Sequence, residues 1–427
     1  MTEMETKKEL EYLYGLERFG MKPGLAVMEQ LMEVLGHPER TFKSIHVTGT
    51  NGKGSTCAMM ESVLRGAGYK TAMYTSPHIY TFNERVRVGG KNISDEELVA
   101  LVAEMRIIIE NEGIHPTFFE FTTALAFLYF SRSDIDIAIV EVGMGGRYDA
   151  TNVIIPILSV ITNIGLDHMD YIGPTKVHIA KEKAGIIKEG VPVVTGEAEK
   201  EMLNIFREEA GRLHATLLRS RDSVTGEVVS RNLAEQVVAV EGVYTGELHL
   251  PLLGDHQVRN LETALTALYS MNQLGFSIRW ESVVLGIGSV VWEGRLQILS
   301  RDPLVVIDGA HNADGARVLY EFLQSLHRYD VVIFAAKKGK DISDAASLIL
   351  PLFSHVIITK GSYMPESPAV LEEKLQEKEG TSVSIEEDVG AAIEKGKKML
   401  SPQGTMLITG SLYMVADALA YLKAKGV

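Results

Sequence analysis

A chain of 427 residues, 46% of them apolar, is long enough for two or three globular domains, and its one cysteine, Cys57, excludes an intrachain disulfide framework. No apolar run reaches the roughly 18 residues of a membrane span. Residues 1–10 are charged and lack the apolar core of a signal segment. The net charge of −14 argues against a nucleic-acid partner, although a small anionic substrate needs only a local positive pocket. A cytoplasmic protein that meets neither membrane nor nucleic acid is expected.

In chain order, the first informative element is an apolar strand from Ile45 that runs into Gly49-Thr50-Asn51-Gly52-Lys53-Gly54-Ser55-Thr56. A helix with Ala58, Met59, Val63 and Leu64 follows. Backbone N–H groups in such a turn, with the positive end of a helix behind them, form an anion cradle. Lys53 adds a point charge for the outer phosphates of ATP, and Ser55 or Thr56 can reach a magnesium ion. Cys57 reads as a small packing residue of that helix.

A strand at 71–75 leads to Thr75-Ser76-Pro77-His78 and Phe82-Asn83-Glu84-Arg85. Ser76 could offer an oxygen to magnesium and Arg85 could face a carboxylate or phosphate; read alone, the segment is equally a loop with capping hydroxyls. Helices are expected at 95–111, where Ser94 and Glu97 have capping-box spacing, and at 122–130.

The apolar run 135–142 ends with Glu141 before Gly143-Met144-Gly145-Gly146-Arg147. A carboxylate at a buried strand end is expensive unless paired or holding a metal. Strand 157–161 repeats the logic with Asn163-Ile164-Gly165-Leu166-Asp167-His168, which puts His168 at the same edge. On chemical grounds alone a histidine is an unusual magnesium ligand, since that ion prefers oxygen. The interleaved charges Lys181, Glu182 and Lys183 of helix 175–187 read from their spacing as a solvated face.

A strand at 191–194, an antiparallel excursion over 215–253 and a helix at 258–274 complete the first block. From Arg295 a second alternation begins, with strands at 304–308, 331–335, 355–359, 382–385 and 406–409, each followed by a helical pattern. Asp308-Gly309-Ala310-His311-Asn312 again sets polar groups at a strand's end, and Asn312 can N-cap the next helix. The fold class is α/β: a P-loop-containing parallel-sheet ATPase domain over 1–296 and a smaller Rossmann-like domain over 297–427. A cleft between two such blocks suits a two-substrate reaction.

The loop departs from the general phosphate-loop pattern, with Val47 five residues before Gly52 and Gly54 between Lys53 and Ser55. That form resembles the Mur ligase superfamily, and nearly the whole chain is similar to its folylpolyglutamate and dihydrofolate synthase family. The resemblance is carried by residues 48–56, Ser76-Pro77-His78 with Asn83-Glu84-Arg85, Phe118-Phe119-Glu120-Phe121, and 141–147 with Asp149-Ala150-Thr151-Asn152. Residues 164–168, Glu182-Lys183-Ala184-Gly185, Gly294-Arg295-Leu296-Gln297 and 308–312 continue it in the family's order.

The resemblance implies that Ser76, Glu141 and His168 hold Mg2+ together with Lys183, which the family carbamylates. Thr50, Asn51, Gly52, Lys53, Gly54, Ser55, Asn260, Arg295 and Asp308 then contact ATP, with Lys53, Lys183 and His311 as catalytic groups. Met21, Lys22, Pro23, Phe119, Glu120, Phe121, Asp149 and Ala150 match the pterin-side pocket. Ala26-Val27, Met144 and Tyr148 depart from the usual Glu-Arg, Leu and Leu of the family, which bears on fine substrate preference.

The expected function is ATP-dependent addition of L-glutamate to folate or dihydropteroate through an acyl phosphate, by a monomer. The rivals are a Mur-type ligase acting on another carboxylate and a P-loop switch or transport ATPase.

Overall fold

The alternation of the first block builds a largely parallel sheet. Its strands are β1 (Ser44–Thr48), β2 (Thr71–Tyr74), β3 (Val86–Val88), β4 (Lys91–Asn92), β5 (Ile137–Glu141), β6 (Leu158–Ile161), β7 (Val193–Thr195) and β8 (Leu217–Arg219). They lie in the order β4-β3-β2-β5-β1-β6-β7-β8. From β2 to β8 in that order all neighbours are parallel, while β3 and β4 fold back antiparallel at one edge. Every residue of β1, β2, β5 and β6 is buried, so none of these strands has a wet face, and β5 reads as a near-continuous apolar run up to Glu141.

From β1 the chain passes to β2 on one side, and from β5 it crosses β1 to reach β6 on the other. The crevice at the C-terminal end of β1 is therefore the topological switch point, where open α/β sheets bind ligands.

The computed structural model describes residues 3–16, 24–324, 326, 328–375 and 382–426. The chain divides into two compact units, one of Met1–Glu227, Ala239–Leu248 and Arg259–Val290, the other of Val228–Val238, His249–Val258 and Val291–Val427.

In the first unit, Met28, Leu31, Val102, Phe121 and Phe127 pack on Tyr74 and Val140 of β2 and β5. A second cluster sets Ile179, Met202 and Phe206 against Ile161 and Val193. Full burial of such side chains stabilises by about 1.5–3 kcal/mol each. Helix Phe118–Arg132 starts earlier than its apolar pattern suggests, because Thr117 and Glu120 form a capping box. The expected box of Ser94 and Glu97 opens helix Asp95–Glu112.

The excursion expected over 215–253 is shorter than its polar pattern implied. β8 pairs in parallel with β7 and belongs to the main sheet. Only β9 (Val224–Arg231), β10 (Gln236–Gly242) and β11 (Gly246–Leu250) form the separate sheet, ordered β11-β10-β9. Their connections at 232–235 and 243–245 are far shorter than the dozen or so residues of a parallel crossover, so the pairs are hairpins.

The second unit holds β12 (Gln297–Arg301), β13 (Leu304–Asp308), β14 (Val331–Phe334), β15 (His355–Ile358), β16 (Ser382–Ile385) and β17 (Thr405–Thr409). The order is β12-β13-β17-β14-β15-β16, parallel except for β12. The antiparallel edge strand β12 was not expected; half-exposed along its length, it carries no continuous apolar signal.

Candidate functional site

The loop after β1 lies at the switch point. Gly52 N-caps helix Lys53–Gly66 with φ +81°, a left-handed conformation open to glycine. A Cβ there would stand 2.2 Å from Asn260 Oδ1, so Asn260 of helix Asp255–Gln273 lies against the loop, where the resemblance put a nucleotide contact. The first-turn N–H groups of the Lys53 helix have no intrahelical acceptor, which is what makes a helix start an anion site.

The loop is braced from behind by the segment that follows β6. Thr50 N donates to Asn163 O at 3.0 Å and Asn51 N to Asn163 Oδ1 at 2.9 Å. Thr50 Oγ1 donates to Gly165 O at 3.1 Å and accepts from Gly165 N at 2.9 Å. Thr162 Oγ1 donates to Asn51 O at 2.6 Å. Asn163 stood in the sequence directly before Ile164-Gly165-Leu166-Asp167-His168, yet nothing local showed that it would support the preceding strand's loop.

Two lysines meet at this turn. Lys53 Nζ donates to Gly49 O at 3.1 Å and to Thr50 O at 3.3 Å. Lys183 Nζ donates to the same Gly49 oxygen at 2.8 Å. Lys183 is 4% exposed, so the solvated-face reading that its spacing favoured does not hold for this residue. Burial, reinforced by the charge of Lys53, pushes the Lys183 amine well below its ordinary range; Asp167 and Asp149 oppose the shift.

Glu141 ends β5 beside Val47 of β1 and is buried, and its Oε2 accepts from Ser76 N at 3.1 Å. Ser76 and Glu141 are thus brought together at the sheet edge. His168 N-caps the short helix Met169–Ile172 with φ +52°, half-exposed, with Nε2 3.7 Å from Asp167 Oδ2. Among the described residues no three His, Cys, Asp or Glu side chains form a ready-made metal cluster. Cys57 is fully buried and burial raises its thiol, as befits a packing residue.

On the side of Phe118–Arg132, Phe119 packs so close to Gly143 that a Cβ there would lie 2.4 Å from its ring. Phe121 is fully buried, edge-on to Tyr12 at 5.9 Å. The Glu120 carboxylate accepts from Thr117 N at 2.7 Å and Thr117 Oγ1 at 2.8 Å, and so serves the helix cap. Asp149 N-caps the turn Ala150–Val153, accepting from Thr151 N at 3.0 Å and Met144 N at 2.9 Å, with Ala150 buried beside it. Burial raises its carboxyl. Met21, Lys22 and Pro23 lie outside the described residues.

Beneath these, His46 Nε2 meets Thr151 Oγ1 at 2.8 Å, and burial drives its pKa down to about 3.

In the second unit Asp308 ends β13 and accepts from Leu296 N at 2.7 Å and Ala310 N at 2.8 Å. Burial raises its carboxyl, and Arg295 opposes that shift. His311 Nδ1 lies 2.8 Å from Gly309 O, and Asn312 caps helix Ala313–Leu323 as expected. Beside them is a pocket whose lining includes His311, Asn312, Lys340, Asp341 and Asp344. Lys340 carried no sequence signal; it falls in the irregular stretch after β14.

A phosphate loop at the switch point of one α/β unit, with a second α/β unit carrying strand-end polar groups, defines an ATP-dependent ligase of the Mur type. The Mur ligase middle domain model matches residues 47–268, and the Mur ligase, glutamate ligase domain model matches residues 294–412. A dihydrofolate synthase/folylpolyglutamate synthase of Bacillus subtilis (strain 168) is 38% identical over 423 residues, covering 96% of this chain and 98% of its own. The folylpolyglutamate synthase structure from Thermotoga maritima superposes with TM-score 0.86 at 33% identity, over 99% of this chain and 97% of that one. The Mycobacterium tuberculosis folylpolyglutamate synthase complexed with ADP and AMPPCP gives 0.88 at 30% identity, over 97% and 98%. The chain belongs to the dihydrofolate synthase/folylpolyglutamate synthase family of Mur ligases. Among its described residues no helix is long and apolar enough to cross a membrane.

Proposed function

We propose that this ligase joins L-glutamate to the carboxylate of a folate or of dihydropteroate, a reading supported by relatives named dihydrofolate synthase and folylpolyglutamate synthase. The observation that carries the reading is the convergence of Lys53 and Lys183 on Gly49 O, with the buried strand-end Glu141 on the neighbouring strand. ATP, whose analogues occupy the M. tuberculosis relative, would lie with its phosphates in the loop 49–55 and against Asn260. Arg295 and Asp308 are the nucleotide contacts of the second unit in this reading.

In the first step the acid's carboxylate oxygen attacks the γ-phosphorus of ATP and ADP leaves, giving an acyl phosphate. The glutamate amine then attacks the acyl carbon, and phosphate departs as the amide forms. Lys53 and the N-terminal dipole of its helix offset charge on the phosphoryl group in flight. His311, on the strand-end loop of the second unit, is the group that handles the amine's proton in this reading. The adjoining pocket, with the cation of Lys340, suits the carboxylate of a small amino acid.

Mg2+ is the metal this chemistry calls for, and the residues present fit it on one condition. Ser76 and the buried carboxylate of Glu141 are hard oxygen donors held together, and His168 follows β6, on the other side of β1. An ammonium on Lys183 would repel the ion; a carbamate would supply another oxygen. The depressed Lys183 amine favours the neutral form that adds to CO2, releasing one proton as the carbamate forms. When bound by Ser76, Glu141, His168 and carbamylated Lys183, Mg2+ would neutralise charge on the transferring phosphoryl group.

Functional domains over 1–296 and 297–427, a monomeric state and a cytoplasmic location belong to the same reading. The test is ADP release from purified protein: it should require both a folate or dihydropteroate and glutamate, with the product heavier by one glutamyl unit. ADP release with neither present would point to another ATPase chemistry.

A further inference from the structure

Arg85 ends the 3-10 turn Phe82–Arg85 that follows β2, and it is 8% exposed. Its guanidinium carbon lies 5.4 Å from the ring centre of Phe118 and 5.9 Å from that of Phe82. Its Nε donates to His78 Nδ1 at 2.9 Å. Arginine remains protonated in proteins, so the imidazole is the acceptor and is neutral, with its proton on Nε2. None of these neighbours carries a negative charge. Among the described residues no carboxylate pairs with Arg85, and no oxygen accepts from its two terminal nitrogens.

A buried cation in that state is costly. The two ring faces offset part of the cost, but a π-face contributes less than an anion would. What remains is a planar fork of N–H groups, the geometry that matches a carboxylate with two parallel hydrogen bonds. The fork is also close to the chemistry. Arg85 O accepts from Thr75 N at 3.0 Å, and the next residue, Ser76, donates its N–H to Glu141 at 3.1 Å. Phe118, which floors the guanidinium, opens the helix that carries Phe119 against Gly143.

We infer that Arg85 anchors the carboxylate of the acid substrate, clamping it in two-point fashion over the Phe82 and Phe118 rings and presenting it for phosphorylation. This rests on the substrate reading proposed above. The clamp makes the site read charge: an aryl carboxylic acid is held, while its ester, with the same rings and no anion, is not. On conversion to the acyl phosphate the group stays anionic and the fork retains an oxygen to hold.

The experiment measures equilibrium binding of pteroate and of pteroate methyl ester to full-length protein with AMPPCP and Mg2+ present. Wild-type protein should prefer the acid by about 100-fold, a size usual for a desolvated charge pair. Arg85→Gln keeps a donor for His78 but no charge; it should lose most of that preference, while KM for ATP stays within about 3-fold of wild type. Arg85→Lys keeps a charge without the fork and should fall between the two, and it decides the matter if the glutamine variant does not fold. Retention of the full acid preference in a folded variant overturns the inference, as does equal wild-type binding of acid and ester. Wild-type protein that binds neither compound overturns the substrate reading, and this inference with it.

Discussion

Lys53 and Lys183 share one acceptor: both ammonium nitrogens reach the carbonyl oxygen of Gly49, at 3.1 and 2.8 Å. Burial, with the charge of Lys53 added to it, holds the Lys183 amine well below its ordinary range. Of the pair, Lys53 is the one that stands in the loop where a polyphosphate would enter.

Lys53→Ala should therefore lower turnover by about 100- to 1,000-fold at saturating ATP, the usual loss for one group aimed at transition-state charge. Its two hydrogen bonds end on carbonyls of its own loop, so stability should change by only about 1 kcal/mol. Steady-state rates and thermal unfolding on the same preparation check both halves. Near-normal turnover would remove the phosphate role from this lysine.

Lys183→Ala should lose activity to a similar degree, with partial recovery on adding short carboxylates that fill the place of a carbamate. Wild-type activity should fall when bicarbonate and CO2 are stripped from the buffer and return when they are restored. A high-resolution map of the active, metal-loaded protein with a bare ammonium at Lys183 would contradict the carbamate.

Glu141→Gln and His168→Ala should each remove most of the rate, and the double variant should lose little more. Groups that act through one ion are non-additive in this way. If instead turnover per folded molecule is normal and only melting temperature falls, the two residues are structural.

His46 predicts a pH effect on stability. Its folded pKa of about 3 lies below the ordinary 6.5, so the unfolded chain binds the extra proton between those values. Its contribution is complete above about pH 6.5 and is lost as pH falls. The loss should come to roughly 2–3 kcal/mol by pH 4.5, at about 1.36 kcal/mol per unit. His46→Gln should flatten that part of the curve in denaturant titrations across pH 4.5–7.5, and an unchanged slope would rule His46 out as its source.

The elements most legible in the sequence were those whose residues are buried on both faces. β5, β6 and β13 announced themselves as largely apolar runs ending in polar groups, because parallel strands covered by helices have no wet face to alternate with. The edge strand β12 and the parallel β8 are only half-buried, and they escaped for that reason. Lys183 shows the limit of spacing: charges interleaved on a helix look solvated until one of them is found buried against the loop after β1. The bracing of Thr50 and Asn51 by Asn163 joins positions 112 or more residues apart in chain number, and no local pattern encodes it.

That bracing has a further consequence. Because Thr50 and Asn51 are laced to Asn163 and Gly165, the loop after β1 and the segment leading to His168 form one body before any nucleotide arrives. The amide hydrogens of Thr50, Asn51 and Gly165 should exchange slowly with solvent deuterium even in ligand-free protein, and nucleotide should slow them little further. The loop then gives up almost no conformational freedom on binding, so the entropy of ordering it is spent during folding and not in each catalytic cycle.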